Sequence, residues 1–310
     1  MTKYVTSILV LVVAVLAVAL FVRGGEVLTA LAISTTNSTV ATANITTAPP
    51  YCGVVTCYDT DDDTTNVKLS GGGTRQVKCN TTCNDPNGWG NVRNYTGQFS
   101  STTGSVCSAS LVNCYPNTSC QNFSVVNTTA QFVQCTYTVW YNAGNTSKYN
   151  DWFGNITIGD IGGIQSSSND TIDMAELLAI GVNNTLPFGS QTADTNESTC
   201  THGTNAYNYG NVEIDVAVNA TAMACTSSSI PAAYIKGTLS SAGAFSGAYP
   251  LTATLGGPDT GSRFNAGIAA STTATAPAAH TAKTIYWGIG IPSGVSGDCE
   301  GILWFAAQLS

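Results

Sequence analysis

The sequence predicts a mainly β protein in which a long N-terminal apolar α-helix precedes one or two disulfide-bonded, β-sandwich-like domains. Three observations predict this class: an apolar run close to the N-terminus, a crowd of cysteines after it, and short strand-like runs separated by Gly, Asn and Asp. Four regions follow: a helix at residues 1–34, a linker at 35–50, a cysteine-rich β domain or subdomain at 51–145, and a second β-rich domain or subdomain at 146–310.

The N-terminal region is dominated by apolar residues that run without interruption through positions 8–22. Starting at Val5, the stretch reaches eighteen residues, which as a helix span about 27 Å and just cross the hydrocarbon core of a bilayer. Residues 26–34 regain apolar spacing, so we expect the helix to continue to about residue 34, beyond what a bilayer needs. The side chains that we expect to enter the membrane and to drive polymerisation are Ile8, Leu9, Val12, Val15, Leu16, Ala19 and Val22.

Three interpretations of this segment stay open on the sequence. It is a cleavable secretory signal, with Lys3 as its basic region and residues 30–32 as the cleavage site. Alternatively it is a permanent membrane anchor. In the third interpretation it is a polymerisation helix that sits in the membrane as a precursor and later packs into the core of a filament.

The linker and the first β region are recognisable by composition and by alternation. Residues 35–50 are rich in Thr and Ser, carry no charge and end in two prolines, which is typical of an extended linker. Within the first β region, residues 132–141 predict a strand with Val133, Cys135, Tyr137 and Val139 on one face.

The cysteines indicate disulfides and therefore export, because disulfides persist in oxidising compartments. A zinc site is disfavoured, since no CxxC pair is present. Because the number of cysteines is odd, at least one thiol is free or pairs with another chain. The sequence leaves open which of the cysteines are bonded to each other. The eleven positions are Cys52, Cys57, Cys79, Cys83, Cys107, Cys114, Cys120, Cys135, Cys200, Cys225 and Cys299.

Asn-x-Ser/Thr sequons occur about twice as often as the composition gives by chance, which favours N-glycosylation and places their segment outside the cell. The alternative is that the surface is rich in Asn and Thr and that the sequons arise by chance. The thirteen positions are Asn37, Asn44, Asn80, Asn94, Asn117, Asn122, Asn127, Asn145, Asn155, Asn169, Asn183, Asn196 and Asn219.

The second β region combines one predicted helix with several strands. The pattern predicts a short helix near residues 169–181, with Asn169 or Asp170 as N-cap and Gly181 after its end. Strands are predicted at 212–218, 284–291 and 301–309. We expect the last of them to lie at the heart of a sheet.

Charge and motifs argue against nucleic acid as a partner and against an enzyme. Only 9% of the residues are charged, the net charge is −8 and the ten basic residues are scattered, whereas phosphate binding needs clustered Lys and Arg. No GxSxG, HExxH or CxxCH signature occurs, and the single DTGS motif at residues 259–262 lacks the second copy that an aspartic protease needs, so a plain turn explains it. No cofactor is expected. One alternative is a calcium site, because Asp59, Asp61 and Asp63 place carboxylates at alternate positions. A solvated acidic loop explains the same pattern.

A short, weakly basic leader, an apolar Val/Leu/Ala segment, a Thr/Ser/Asn-rich junction and a large domain with many sequons resemble the archaeal type IV pilin-like subunits of extracellular adhesion fibres. The resemblance covers about the first 35 residues by sequence and the rest by composition. It implies a homopolymer whose helices bundle in the filament core and whose glycosylated β domains face outward. It also implies a membrane-inserted precursor and, for the filament, surfaces or other cells as partners.

The sequence therefore predicts a structural subunit of an extracellular, pilus-like adhesion filament. One alternative is a membrane-anchored cell-surface or virion glycoprotein that binds a receptor or carbohydrate. A second is a secreted protein with a cleaved signal that polymerises by donating a strand to its neighbour's sheet.

Overall fold

A computed structural model describes residues 48–101, 112–117, 120–144, 152–183, 185–253, 263–272 and 280–310 of the chain. These ranges form strands and three short 3₁₀ helices, at Trp89–Asn91, Ala232–Tyr234 and Phe245–Gly247. They contain no α-helix, and none of their helices has the length and apolar character to cross a membrane. The predicted fold class is corrected accordingly: the described chain is mainly β, without a long apolar helix. The predicted helix at residues 1–34 lies outside the described residues.

The first β-sandwich contains the strands β1 Tyr51–Cys52, β2 Thr56–Asp59, β3 Asn66–Val67, β4 Thr74–Asn84, β5 Val92–Ser100, β6 Cys114–Asn117, β7 Gln121–Val125, β8 Ala130–Trp140, β9 Trp152–Asp160 and β10 Gln165–Met174. One sheet has the order β1-β4-β8-β7, with β2 also paired to β4. The other has the order β3-β10-β9-β5-β6. The first sandwich thus includes residues on both sides of position 145, where the sequence placed the boundary between two β regions.

Alternating apolar side chains of the two sheets form the core of this sandwich. The alternation predicted in β8 is confirmed, since Val133, Cys135, Tyr137 and Val139 are buried. Aromatic rings fill the centre: Phe99 lies 5.1 Å from Trp152 and 5.6 Å from Tyr137 between ring centroids.

Two disulfides form a row across the middle of the first sheet. Cys57 is bonded to Cys79, and Cys120 is bonded to Cys135. Cys79 and Cys135 lie opposite each other in β4 and β8, so the four sulfurs lie side by side. Two further disulfides have both of their cysteines among the described residues. They are Cys52–Cys83 and Cys225–Cys299.

The helix predicted near residues 169–181 is wrong. Residues 169–174 of that segment belong to β10, which pairs with β9 from Gln165 to Ile172, and the end of the segment enters a further short strand at Ile180–Val182. The carboxylate of Asp170, expected to cap a helix, instead accepts a hydrogen bond from the backbone N–H of Cys57 at 2.8 Å. Pairing with a distant strand therefore overrides the local capping pattern.

The second half of the chain contains the strands β11 Ile180–Val182, β12 Thr195–Asn196, β13 Thr199–Cys200, β14 His202–Asn208, β15 Ile214–Ala220, β16 Met223–Cys225, β17 Ser229–Ile230, β18 Ile235–Thr238, β19 Gly243–Ala244, β20 Tyr249–Pro250, β21 Arg263–Ile268, β22 Ala282–Ile291, β23 Cys299–Glu300 and β24 Leu303–Leu309. Its larger sheet has the order β11-β14-β22-β18-β20, with β12 also paired to β22. A three-stranded sheet, β21-β15-β24, packs against it, and two small sheets, β13-β19 and β17-β16-β23, complete the half.

The two sheets of this second sandwich meet around Trp287, which is fully buried in β22. Its ring contacts Phe264 of β21 and Phe305 of β24 edge-on, with centroids 5.6 and 6.0 Å apart. The three strands predicted in this half correspond to β15, β22 and β24.

The side chain of Asn211 ties the two sandwiches together. Its amide nitrogen donates to the carbonyl oxygens of Ala143 and Ala175, both at 3.0 Å, and its amide oxygen accepts from the N–H of Leu177 at 2.7 Å. Because Asn211 is buried, these bonds satisfy the polar atoms of its side chain away from water. Residues 47–310 accordingly form one compact unit.

Candidate functional site

The acidic loop at residues 59–63 is built around a buried carboxylate. Asp59 accepts hydrogen bonds from the N–H groups of Asp61 and Lys68 and from the guanidinium of Arg75. Burial alone would raise the pKa of Asp59, but these bonds outweigh it and hold the pKa below the ordinary value of 3.8. The same guanidinium also donates to Asp61.

The carboxylate of Asp63, the third of the predicted calcium ligands, is likewise hydrogen-bonded to groups of the protein itself. Hydrogen bonds from the side chains of Thr65 and Lys68 hold its pKa well below the ordinary value. The three carboxylates thus face cationic side chains and N–H groups, which is the arrangement of an ion-pair network. Among the described residues, no group of His, Cys, Asp and Glu is arranged to hold a metal ion.

The predicted disulfide cysteines divide into bonded ones and one free thiol. Cys114 is disulfide-bonded as well, and Cys107 lies outside the described residues. Cys200 is free and buried, and burial together with the nearby Glu197 carboxylate raises the pKa of its thiol. A nucleophilic cysteine needs the thiolate, so this environment is that of a structural residue.

The sequons differ in how accessible the structure leaves them. Three of them, Asn37, Asn44 and Asn145, lie outside the described residues. Asn80, Asn117 and Asn155 are half-buried, and Asn219 is buried in β15, which leaves no room for a sugar on its amide nitrogen. The exposed sequons are Asn94, Asn122, Asn127, Asn169, Asn183 and Asn196. Residues 220–310 contain no sequon.

Two outer strands expose large apolar side chains, and they differ in their sequons. β7 is the outer strand of the first sheet and exposes Phe123 and Val125 by 58% and 71%, with the sequons Asn122 and Asn127 on and beside it. β24 is the outer strand of the three-stranded sheet and exposes Trp304 by 44%. Glycans at Asn122 and Asn127 would cover the edge of β7, whereas β24 itself contains no sequon, and the exposed sequon Asn183 follows β11, which lies beside β24.

The position of β24 corrects the expectation that the last strand lies at the heart of a sheet. Its inner face does contribute to the core, through Leu303, Phe305 and Ala307. Its only strand partner among the described residues is β15, however. The apolar sequence of β24 therefore reflects burial of one face, and nothing in that sequence separates a central strand from an outer one.

The hydrogen bonds identify which backbone groups of β24 face outward. The N–H of Thr221 donates to the carbonyl oxygen of Ile302 at 2.9 Å, one step beyond the ladder of β15 and β24. Hydrogen-bonded and non-hydrogen-bonded pairs alternate along an antiparallel ladder. The N–H and C=O groups of Leu303, Phe305 and Ala307 therefore point away from β15, toward the side on which no described strand pairs.

The three-stranded sheet is also narrower than the sheet that it covers. β11, the outer strand of the larger sheet, lies beside β24, and its side chains Ile180 and Val182 are only partly buried against the core. Leu178, just before β11, is 43% exposed. A strand added beyond β24 would cover these apolar groups. The edge of β24 therefore combines outward-facing backbone N–H and C=O groups with an incompletely covered core.

Comparisons with known proteins do not assign this chain to a family. No protein family and no curated protein matches it. A chain from a structure of the chaperone–tip adhesin complex of CFA/I fimbriae is similar with 8% identity and a TM-score of 0.24, over 86% of this chain and 92% of that one. The C-terminal domain of the AgI/II polypeptide BspA of Streptococcus agalactiae is similar with 10% identity and a TM-score of 0.19, over 84% and 100%. At these TM-scores the likeness says nothing further about fold or function.

Proposed function

We propose that the chain is a structural subunit of an extracellular adhesion filament that assembles from identical copies. The observation that supports this function most is the uneven surface: exposed sequons lie at residues 94–196, while residues 220–310 have no sequon and carry the open, apolar edge of β24. An apolar strand without sequons suits contact with another copy, and a surface that bears sequons suits contact with solvent.

The disulfides support a location outside the cytoplasm. Four are placed in the described residues, and two of them lie side by side at the centre of the first core. Disulfides of this density persist in an oxidising environment. With few charged residues available for ion pairs, they also stiffen a domain that is exposed to shear.

In this proposal the apolar run at residues 8–22 holds the precursor at the membrane before assembly. The sequon-bearing β surface then faces other cells or solid surfaces, which are the partners of the finished filament. No residue is assigned a catalytic role and no cofactor takes part.

Shearing of intact cells tests the proposal. We expect the supernatant to contain long fibres in which mass spectrometry identifies this chain, and intact mass to fall when N-glycans are removed. Recovery of the chain only in detergent, as single copies, would contradict the filament and support a membrane-anchored surface glycoprotein that binds a receptor or carbohydrate. The mature N-terminus of the purified chain separates a retained apolar segment from a cleaved signal.

A further inference from the structure

We propose that the open edge of β24 accepts residues 41–46 of a second copy of this chain as an additional strand. This inference rests on the proposed filament and names the contact that joins its subunits. It is carried by the outward backbone groups of β24, by the narrow sheet to which β24 belongs, and by the sequence pattern of the segment that precedes the first sandwich.

The acceptor side offers backbone partners at regular spacing. Leu303, Phe305 and Ala307 each present an N–H and a C=O away from β15, and an extended segment that runs beside β24 pairs with all of them. Peptides recognised by strand addition obtain affinity from such main-chain bonds and specificity from alternate side chains.

The acceptor side also offers an apolar surface on one face only. The inner side chains of β24 join the core around Trp287, next to the partly buried Ile180 and Val182 of β11. A strand beyond β24 therefore places every second side chain against apolar groups and the others toward solvent. The acceptor therefore selects a segment that alternates apolar and polar residues.

Residues 41–46 have this alternation. Ala41, Ala43 and Ile45 are apolar, and they alternate with Thr42, Asn44 and Thr46. When the apolar set faces the core, Asn44 faces solvent, where its sequon tolerates a glycan. The segment has no charge and no proline, so every residue can pair with β24.

The connection between donor and acceptor favours another copy as the donor. The chain enters the first sandwich at Ala48, whose carbonyl oxygen accepts a hydrogen bond from the Asn87 side chain at 2.9 Å, whereas β24 belongs to the second sandwich. Donation into the next copy joins the first sandwich of one subunit to the second sandwich of another. Such a head-to-tail contact uses two different surfaces and generates an open filament.

A matched pair of neighbouring substitutions tests the inference in the full chain. Ala43→Asp places a charge on the face that enters the core, and Thr42→Asp places the same charge on the face toward solvent. Both leave the sequons Asn37 and Asn44 intact. We expect Ala43→Asp to abolish fibres seen by electron microscopy and Thr42→Asp to keep fibres of normal length.

Mixing provides a readout that does not depend on loss of assembly. A copy with Ala43→Asp keeps its own acceptor edge but cannot donate, so it ends any fibre to which it binds. We expect a minor fraction of this variant to shorten wild-type fibres, and the same fraction of Thr42→Asp to leave their length unchanged.

The outcomes separate this inference from the filament itself. If wild-type chain forms fibres and Ala43→Asp does so equally well, the strand donor is wrong and the filament stands. If Ala43→Asp lowers the melting temperature of single copies without changing fibres, the segment pairs within its own chain and the inference is overturned. If wild-type chain forms no fibres in any preparation, the proposed function fails first.

Discussion

Two glycines in the second sheet of the first sandwich face the row of disulfides. A Cβ atom at Gly154 would collide with the sulfurs of Cys57 and Cys79, and one at Gly97 would lie 2.6 Å from the sulfur of Cys135. Both positions lie in regular strands, where glycine is normally unfavourable. Their role is therefore steric, because the bulky cystines leave no volume for a side chain on the facing sheet.

We predict that Gly154→Ala lowers the free energy of unfolding by about 1–3 kcal/mol, because the added methyl group overpacks the core at the Cys57–Cys79 disulfide. Thermal unfolding measures the effect. Gly159→Ala is the control on the same strand, since its Cβ would meet its nearest neighbours at 3.6–3.9 Å, an ordinary contact distance. Equal stability of the two variants would contradict the steric argument.

The acidic loop predicts a pH dependence that belongs to Asp59. Its pKa is lowered, so the ionised carboxylate stabilises the folded chain above about pH 4, and this contribution is lost as pH falls through the lowered value. We predict that Asp59→Asn destabilises the chain by about 2 kcal/mol at neutral pH, since Arg75 and two N–H groups lose a charged acceptor. The difference from wild type should persist at pH 5 and shrink in stronger acid.

Asp62→Asn is the control for that experiment, because Asp62 is an exposed neighbour in the same loop and loses the same charge. Chemical denaturation at several pH values compares the two variants. A loss of stability that is the same for both, or that does not shrink in acid, would show that the buried acceptor is unimportant.

Among the elements, β24 is held in place at its N-terminal end by a disulfide. Cys225 of β16 and Cys299 of β23 lie opposite each other and are bonded, with Cα atoms 4.0 Å apart. β16 follows β15 closely and β23 precedes β24 closely, so the bond clamps the end of the β15–β24 pair. This clamp positions the outer strand on which the proposed contact depends.

We predict that replacing Cys225 and Cys299 by Ser together lowers stability by about 2–4 kcal/mol and raises amide hydrogen exchange in β24. The matched control replaces Cys120 and Cys135, which are bonded in the first sandwich. Loss of that disulfide should lower the free energy of unfolding without changing amide hydrogen exchange in β24. Unchanged protection of β24 after loss of the Cys225–Cys299 bond would contradict its role as a clamp.

Elements whose pattern is local could be predicted from the sequence, and elements decided by distant pairing could not. The alternation in β8 is visible in ten consecutive residues and matches its buried face. The segment at 169–181 has good local helix signals, yet its pairing with β9 and the bond from Cys57 to Asp170 make it a strand. Neither contact can be read from the segment itself.

At the scale of the whole molecule, the same limit applies to the candidate site. Sequence showed that the last strand is apolar and that sequons end at Asn219. It could not show that β24 is an outer strand, because that depends on which strands of a sheet are neighbours. Nor could it show that Asn219 is buried and that the exposed sequons stop at Asn196. The open edge emerges only when topology and sequon positions are combined.

Cryo-electron microscopy of fibres sheared from cells tests the proposed contact, because it shows what lies beside β24 in the assembled state. We predict a density for one extended strand along the outward groups of Leu303, Phe305 and Ala307, continuous with the chain that enters the first sandwich of a neighbouring copy. Fibres in which this edge faces solvent, or in which the strand comes from the same copy, would contradict it.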